Sequence, residues 1–261
     1  MRYKILPVKN VARLRAAGDA LISREAGMPG IGLIWGPTGY GKSTAAAWFI
    51  NQCHGVYIRA MRLWSPKTML TAIMRELDME ARGLNLAEMV ERIIGRLAET
   101  GRPLFIDEAD YVVESSRLID TLRDIHDLSQ VPVIMIGMHG IEKRIRGNEQ
   151  FTGRVAQWVS FKGIDLDDAR LLADGLCEIK IADDLLEQLH KAASPKNCRQ
   201  QSLGGAEIRR LVVGLGQVEH YAIKRGKDAV TLADWPKGRY FFIGEAARPE
   251  AGLKVISARG A

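Results

Sequence analysis

Apolar positions recur along this chain in two rhythms. Over residues 8–25 they fall at Val8, Val11, Leu14, Ala17, Leu21 and Ile22, the spacing of one helical face, with Arg13, Arg15 and Arg24 on the other. The same spacing returns at Met69, Leu70, Ile73, Met74 and Leu77, then from Leu86 to Leu97, then at Leu118, Ile119, Leu122 and Ile125. Ser65-Pro66 reads as a helix start, and so does Asn85 with Glu88 three residues on. Between these stretches lie short strand-like runs at 31–35, 56–58, 104–106, 132–137 and 157–161, and the continuous apolarity of 132–137 fits a parallel strand covered on both faces. Strands alternating with helices predict a parallel five-stranded sheet with right-handed crossovers, an α/β fold of three layers over residues 1–162. From Asp165 the strand signals stop. Helical patterns at Leu171 and Leu172, at Leu185, Leu186 and Leu189, and from Ile208 to Ala222 predict a small all-α domain over residues 163–235. Residues 195–205 read as a polar loop. Residues 236–261, rich in Gly, Ala and Arg, are expected to form a loosely ordered tail.

The chemistry starts where the first apolar run ends. Gly36-Pro37-Thr38-Gly39-Tyr40-Gly41-Lys42-Ser43-Thr44 has the spacing G-x-x-x-x-G-K-S, with a strand before it and a helix-compatible stretch after it. Glycines let backbone N–H groups close on phosphate oxygens, and the following helix points its positive end at the same charge. Lys42 is expected to reach the β- and γ-phosphates of ATP, and Ser43 to offer its hydroxyl to Mg²⁺. The run Leu104-Phe105-Ile106 ends in Asp107-Glu108. Asp107 at a strand tip would hold Mg²⁺, and Glu108 would polarise the water that attacks the γ-phosphate. Asp110 reads as a solvated carboxylate opening a helix.

Composition narrows the partners. The chain has 261 residues and a net charge of +6, so it should be drawn to polyanions. No run approaches the ~18 apolar residues of a membrane span, and no signal-peptide pattern opens the chain, so a cytoplasmic protein is expected. Cys53, Cys177 and Cys198 lie far apart and the five histidines form no ligand-spaced cluster, which argues for reduced structural thiols over zinc. The segment from Arg59 to Lys67 carries three cations, Arg59, Arg62 and Lys67, and an indole, Trp64. It reads either as a working loop or as a solvated one with Trp64 in the core.

The order of parts resembles the AAA+ ATPases: phosphate loop, acidic strand end, a further strand, an arginine before the last strand, then a helical lid. More narrowly, the chain is similar to the transposition ATPases of the phage Mu B and Tn7 TnsC type. That likeness rests on Gly-Pro-Thr-Gly-Tyr-Gly-Lys-Ser, Tyr-Ile-Arg-Ala after the second strand, Leu-Phe-Ile-Asp-Glu-Ala-Asp, and Arg-Gly-Asn-Glu-Gln-Phe-Thr-Gly-Arg. It implies an ATP- and Mg²⁺-dependent ATPase working in the bacterial host cytoplasm, with slow turnover expected if the polar sensor at the end of the fourth strand is absent. Such a protein assembles as a homo-oligomeric ring or helical filament on double-stranded DNA, without sequence preference, and delivers that DNA to a transposase. Within it, Arg154 matches the arginine inserted into a neighbour's nucleotide site. Arg209, or Arg210 in its place, matches the lid arginine that touches the γ-phosphate, while Arg59, Arg62 and Lys67 fall in the loop that faces the central channel. The likeness departs at the end of the fourth strand, where a polar sensor is replaced by Gly137-Met138-His139; either His139 substitutes or the sensor is absent. Lys143, Arg144 and Arg146 are the next candidates for DNA. A replication-initiator or helicase-loader ATPase is the alternative, and a signalling or defence switch that binds proteins and no DNA is a second.

Overall fold

The computed structural model describes residues 1–2, 4–25, 27–194, 205–236 and 238–242; Cys198 and most of the expected polar loop and tail lie outside them. Five strands, β1 (Ile31–Trp35), β2 (Val56–Arg59), β3 (Leu104–Asp107), β4 (Val133–Gly137) and β5 (Val155–Ser160), form one parallel sheet in the order β2-β3-β4-β1-β5. The pleat sends successive side chains to opposite faces. Ile34, Phe105, Ile134, Ile136 and Val159 join one core with α1 (Lys9–Ile22) and α2 (Lys42–Cys53). Leu33, Ile58, Ile106, Val133 and Met135 join the other, under α3 (Pro66–Glu76), α4 (Leu86–Thr100) and α6 (Ser116–Ser129). That double burial is why β1, β3 and β4 read as apolar runs, while the edge strands β2 and β5 carry Arg59, Gln157 and Ser160. The short helices α5 (Asp110–Val113), α7 (Ile141–Arg146) and α8 (Glu149–Thr152) fill the connections.

Both predicted helix starts are built as capping boxes. The Ser65 hydroxyl accepts from Thr68 N at 3.3 Å while Thr68 Oγ1 accepts from Ser65 N at 2.7 Å, with Pro66 in the first turn. Asn85 and Glu88 exchange bonds of 3.0 and 2.8 Å in the same way. Each such cap contributes about 1 kcal/mol to holding its helix in place.

Beyond β5 come α9 (Leu166–Leu176), α10 (Asp183–Ala193) and α11 (Ile208–Ile223). The lid is not purely helical: β6 (Lys180–Ile181) and β7 (Ala229–Val230) pair in parallel, too short for any alternation to show in the sequence. Its buried Leu189, Leu211, Leu215 and Val218 belong to the same hydrophobic cluster as α1 and α2, so core and lid share one interior. The junction between them is held by Asn10, 4% exposed, whose amide donates to Lys162 O at 2.8 Å and whose oxygen accepts from Lys162 N at 3.3 Å. Part of the expected loose tail is packed: Phe241 is buried and stacks on Trp235 at 5.1 Å, with Arg239 over the Trp235 ring. Aromatic anchors at 235 and 241 outweigh the Gly- and Ala-rich composition there. Among the described residues no helix is long and apolar enough to cross a membrane. Cys53 and Cys177 are free thiols, and burial pushes that of Cys177 up to about 12.

Candidate active site

The segment after β1 folds back over the sheet end through Gly39 and Gly41, at φ of 87° and 85°. A side chain at Gly39 would also collide with Glu207, whose Oε1 lies 2.1 Å from where its Cβ would sit. Gly41 caps α2, whose first turn carries no acidic side chain to compete for its exposed amides. Lys42 Nζ donates to the Gly36 and Pro37 carbonyls at 2.7 and 2.8 Å. Burial lowers its pKa, opposed by the carboxylates of Asp107, Glu108 and Asp110. Tyr40 differs from the rest of the loop. Its ring is 3% exposed and lies in the core, with a hydroxyl that has no hydrogen-bond partner among the described residues, so it offers the cleft no side chain.

The tip of β3 brings the acidic pair to the same end of the sheet. Asp107 is 4% exposed; Oδ1 accepts from Glu108 N at 2.9 Å and Oδ2 from the Tyr57 hydroxyl at 3.0 Å. Burial, then the Asp107 charge, pushes the Tyr57 phenol up to about 12, which keeps it a donor. Glu108 has φ of 54°, a left-handed conformation that costs a non-glycine residue about 1–3 kcal/mol. Its carboxylate meets the Arg59 guanidinium at 3.1 Å.

Thr38, Lys42, Ser43, Thr44, Asp107, Glu108, Arg59 and Arg209 wall a single cleft of about 340 Å³, with Gly137 and Met138 of the β4 end between the two motifs. Among the described residues no three or more His, Cys, Asp or Glu side chains are grouped to hold a metal by themselves. Mg²⁺ does not require such a cage, because it takes one or two protein oxygens and fills its shell with phosphate and water. The Ser43 hydroxyl and the Asp107 carboxylate, which line one cleft with Lys42, fit that donor set.

A second cavity of about 430 Å³ adjoins the first and shares Gly39, Gly41, Thr44 and Arg209 with it. Ile5, Leu6, Val8 and Val11 line it from one side and Leu172, Leu176, Ile208 and Val212 from the lid. Sequence reasoning missed this chamber. Val8 and Val11 read only as part of one helix's apolar face, and nothing local says that the lid packs over residues 5–11.

The expectation for Asp110 is corrected. Asp110 is not a solvated carboxylate: it is half-buried and accepts from Met138 N at 2.7 Å, bracing the end of β4. His139 does not line the cleft; its ring is turned toward Glu142, 3.9 Å away. Arg59 belongs to the wall of the cleft and to Glu108, because β2 and β3 pair with Arg59 opposite Asp107. Arg62 and Lys67 stand on the outer surface, where Leu63 is 93% exposed, while Trp64 is half-buried against the core. In the lid Arg209 faces the cleft and its N–H donates to Gly39 O at 3.0 Å, whereas Arg210 lies over the Phe242 ring at 4.4 Å. Arg154 sits at the opposite end of the sheet, its carbonyl accepting from Ile31 N at 2.9 Å. There its guanidinium is paired with Asp127 at 2.6–2.7 Å and donates to Gln150 O. Of the further basic candidates, Arg144 pairs with Glu114 and Arg146 lies over the Trp158 ring.

Residues 26–145 match the family described as AAA domain. Solved structures with the same fold include the ORC2 protein of Aeropyrum pernix in ADPNP-ADP complexes (TM-score 0.64, 16% identity, 88% of this chain and 68% of that one). Another is Cdc6p of Pyrobaculum aerophilum, at TM-score 0.62 and 16% identity over 87% of this chain and 65% of that one. A third is the ORC1 protein of Aeropyrum pernix in complex with DNA, at TM-score 0.57 and 18% identity over 85% of this chain. This chain spans 61% of the length of that ORC1 chain. No curated protein matches the sequence. The fold is the P-loop AAA+ fold, a parallel five-stranded sheet with helices on both faces.

Proposed function

We propose that this protein is a Mg²⁺-dependent ATPase that, with ATP bound, holds double-stranded DNA without sequence preference, assembles with copies of itself as a ring or helical filament, and presents the DNA to a transposase. The observation that carries the ATPase reading is the single cleft in which Lys42, Ser43, Asp107, Glu108 and Arg209 meet. Its polar floor suits a triphosphate, and the apolar chamber beside it suits a purine. Lys42 and the amides at the start of α2 bind the phosphates, Glu108 orients and deprotonates the attacking water, and Arg209 brings a cation from the lid. Mg²⁺ held by Ser43 and Asp107 supplies charge that offsets the negative charge of the phosphates.

The DNA reading is supported by the net charge of +6, by the exposed Arg62 and Lys67, and by the ORC1 protein of the same fold having been solved in complex with DNA. The transposase as recipient rests on the sequence resemblance. A replication initiator is the second reading, supported by the fold shared with the ORC and Cdc6 proteins. Stimulation of turnover by a transposase separates the two.

The test uses Glu108→Gln, which keeps ATP bound and stops turnover. Its ATP-dependent complex with two unrelated duplexes of equal length should have the same affinity for both and outlast that of the wild type. Each phosphate contact removed flattens the log-affinity against log-salt slope by about 0.9, so Arg62→Ala and Lys67→Ala should each do so. Arg102→Ala is the control, since Arg102 bonds His54 O at the opposite end of the sheet. Wild-type turnover in Glu108→Gln removes that residue from the mechanism. No ATP-dependent affinity for either duplex leaves the protein-binding switch.

A further inference from the structure

Asp107 is 4% exposed, and what surrounds its carboxylate decides how it meets a metal. Of the two partners of its side chain among the described residues, the Glu108 N–H is local to the turn. The other crosses from the neighbouring strand: Tyr57 pairs with Phe105 in the β2–β3 register, and its hydroxyl reaches along the sheet to Asp107 Oδ2 at 3.0 Å. Tyr57 and Arg59 are two residues apart and share a face of β2. The strand therefore attends both acids, but with different chemistry. Arg59 sets a cation on Glu108, while Tyr57 gives Asp107 a neutral donor.

That difference matters for a metal ligand. A guanidinium on Asp107 would cancel the charge that draws Mg²⁺; a phenol fixes the carboxylate and leaves its charge whole. A carboxylate has about four lone-pair directions, and two are used here, so two remain for the metal or its water. We infer that Tyr57 is a positioning residue for the Mg²⁺ site, holding Asp107 in the one orientation that a strict octahedral ion accepts. This rests on the ATPase reading above.

Tyr57→Phe keeps the ring and removes the donor. The experiment measures binding of a fluorescently labelled ADP by wild type and variant, once in EDTA and once across a Mg²⁺ titration. Loss of an outer partner of a metal ligand costs about tenfold or more in metal affinity. The Mg²⁺ concentration for half-saturation should rise by about that factor in the variant, while affinity in EDTA stays within about twofold. A merely structural role would shift both. In an Asp107→Asn background the same substitution should add nothing, which isolates the pair from general damage to β2. An unchanged Mg²⁺ midpoint in Tyr57→Phe, beside a wild type that responds to Mg²⁺, overturns the role of Tyr57 and leaves the ATPase reading standing. A wild type that binds no nucleotide, or binds it without regard to Mg²⁺, removes that reading and the metal site with it.

Discussion

The contact between Arg59 and Glu108 puts a cation on the residue proposed to activate water. The arginine side chain is 66% exposed and the glutamate 26%, so the pair contributes about 0–1 kcal/mol and is easily given up. Replacing Arg59 by alanine should leave thermal stability nearly unchanged. If the pair withholds Glu108 from water, ATP turnover without DNA should rise by up to about fivefold, the rate equivalent of 1 kcal/mol. The slope of DNA affinity against salt should not move, because the side chain stands in the cleft. A slope flatter by about 0.9 would return Arg59 to the DNA surface. Its place was not legible from residue type. Clustering with Arg62 and Lys67 suggested one shared task, and only the strand register, with Arg59 opposite Asp107, separates them.

At the scale of elements, α1 does more than cover the sheet. Asn10 in its first turn closes both backbone groups of Lys162, and Lys9 N donates to Asp168 Oδ1 at 3.1 Å, so the helix grips the junction from which the lid departs. Asn10→Ala would strip partners from these half-buried groups, at a cost of about 1–3 kcal/mol in unfolding free energy. Nucleotide affinity should fall with it, since α1 and the lid wall the apolar chamber together. An unchanged denaturant midpoint would mean that the clamp is not made in solution. Most elements were legible because their cause is local. Doubly covered strands such as 133–137 show as unbroken apolar runs, and α3 and α4 announce themselves through Ser65-Pro66 and Asn85 with Glu88. What escaped depends on partners far along the chain: the two-residue strands β6 and β7, the chamber behind residues 5–11, the packing of Phe241, and the hydrogen bond that takes Asp110 to Met138.

At the scale of the whole molecule, β1 separates Arg154 from the phosphate loop. Its five residues at about 3.3 Å each set the two roughly 16 Å apart, so the guanidinium cannot serve the cleft of its own subunit. Asp127 pairs with it through side chains about one-third exposed, a contact worth about 1 kcal/mol. Lys42→Ala and Arg154→Ala should each be inactive alone. Mixed, they should recover part of the turnover, since each supplies what the other lacks, with the arginine contributing about 10³-fold or more in rate. No recovery at any ratio, with assembly confirmed by sedimentation, counts against action between subunits. Donor and acceptor at opposite ends of one sheet also give the molecule a direction. If Arg154 serves a neighbour's cleft through a contact that is not reciprocated by that same neighbour, the contact is head-to-tail and repeats until it closes on itself or runs out of protein. An open row of n subunits then holds n − 1 complete clefts, with one idle arginine at its head and one unserved cleft at its tail. Turnover per subunit should climb with protein concentration as the ends become a smaller share of the row, whereas a closed circle reaches its full rate on closing.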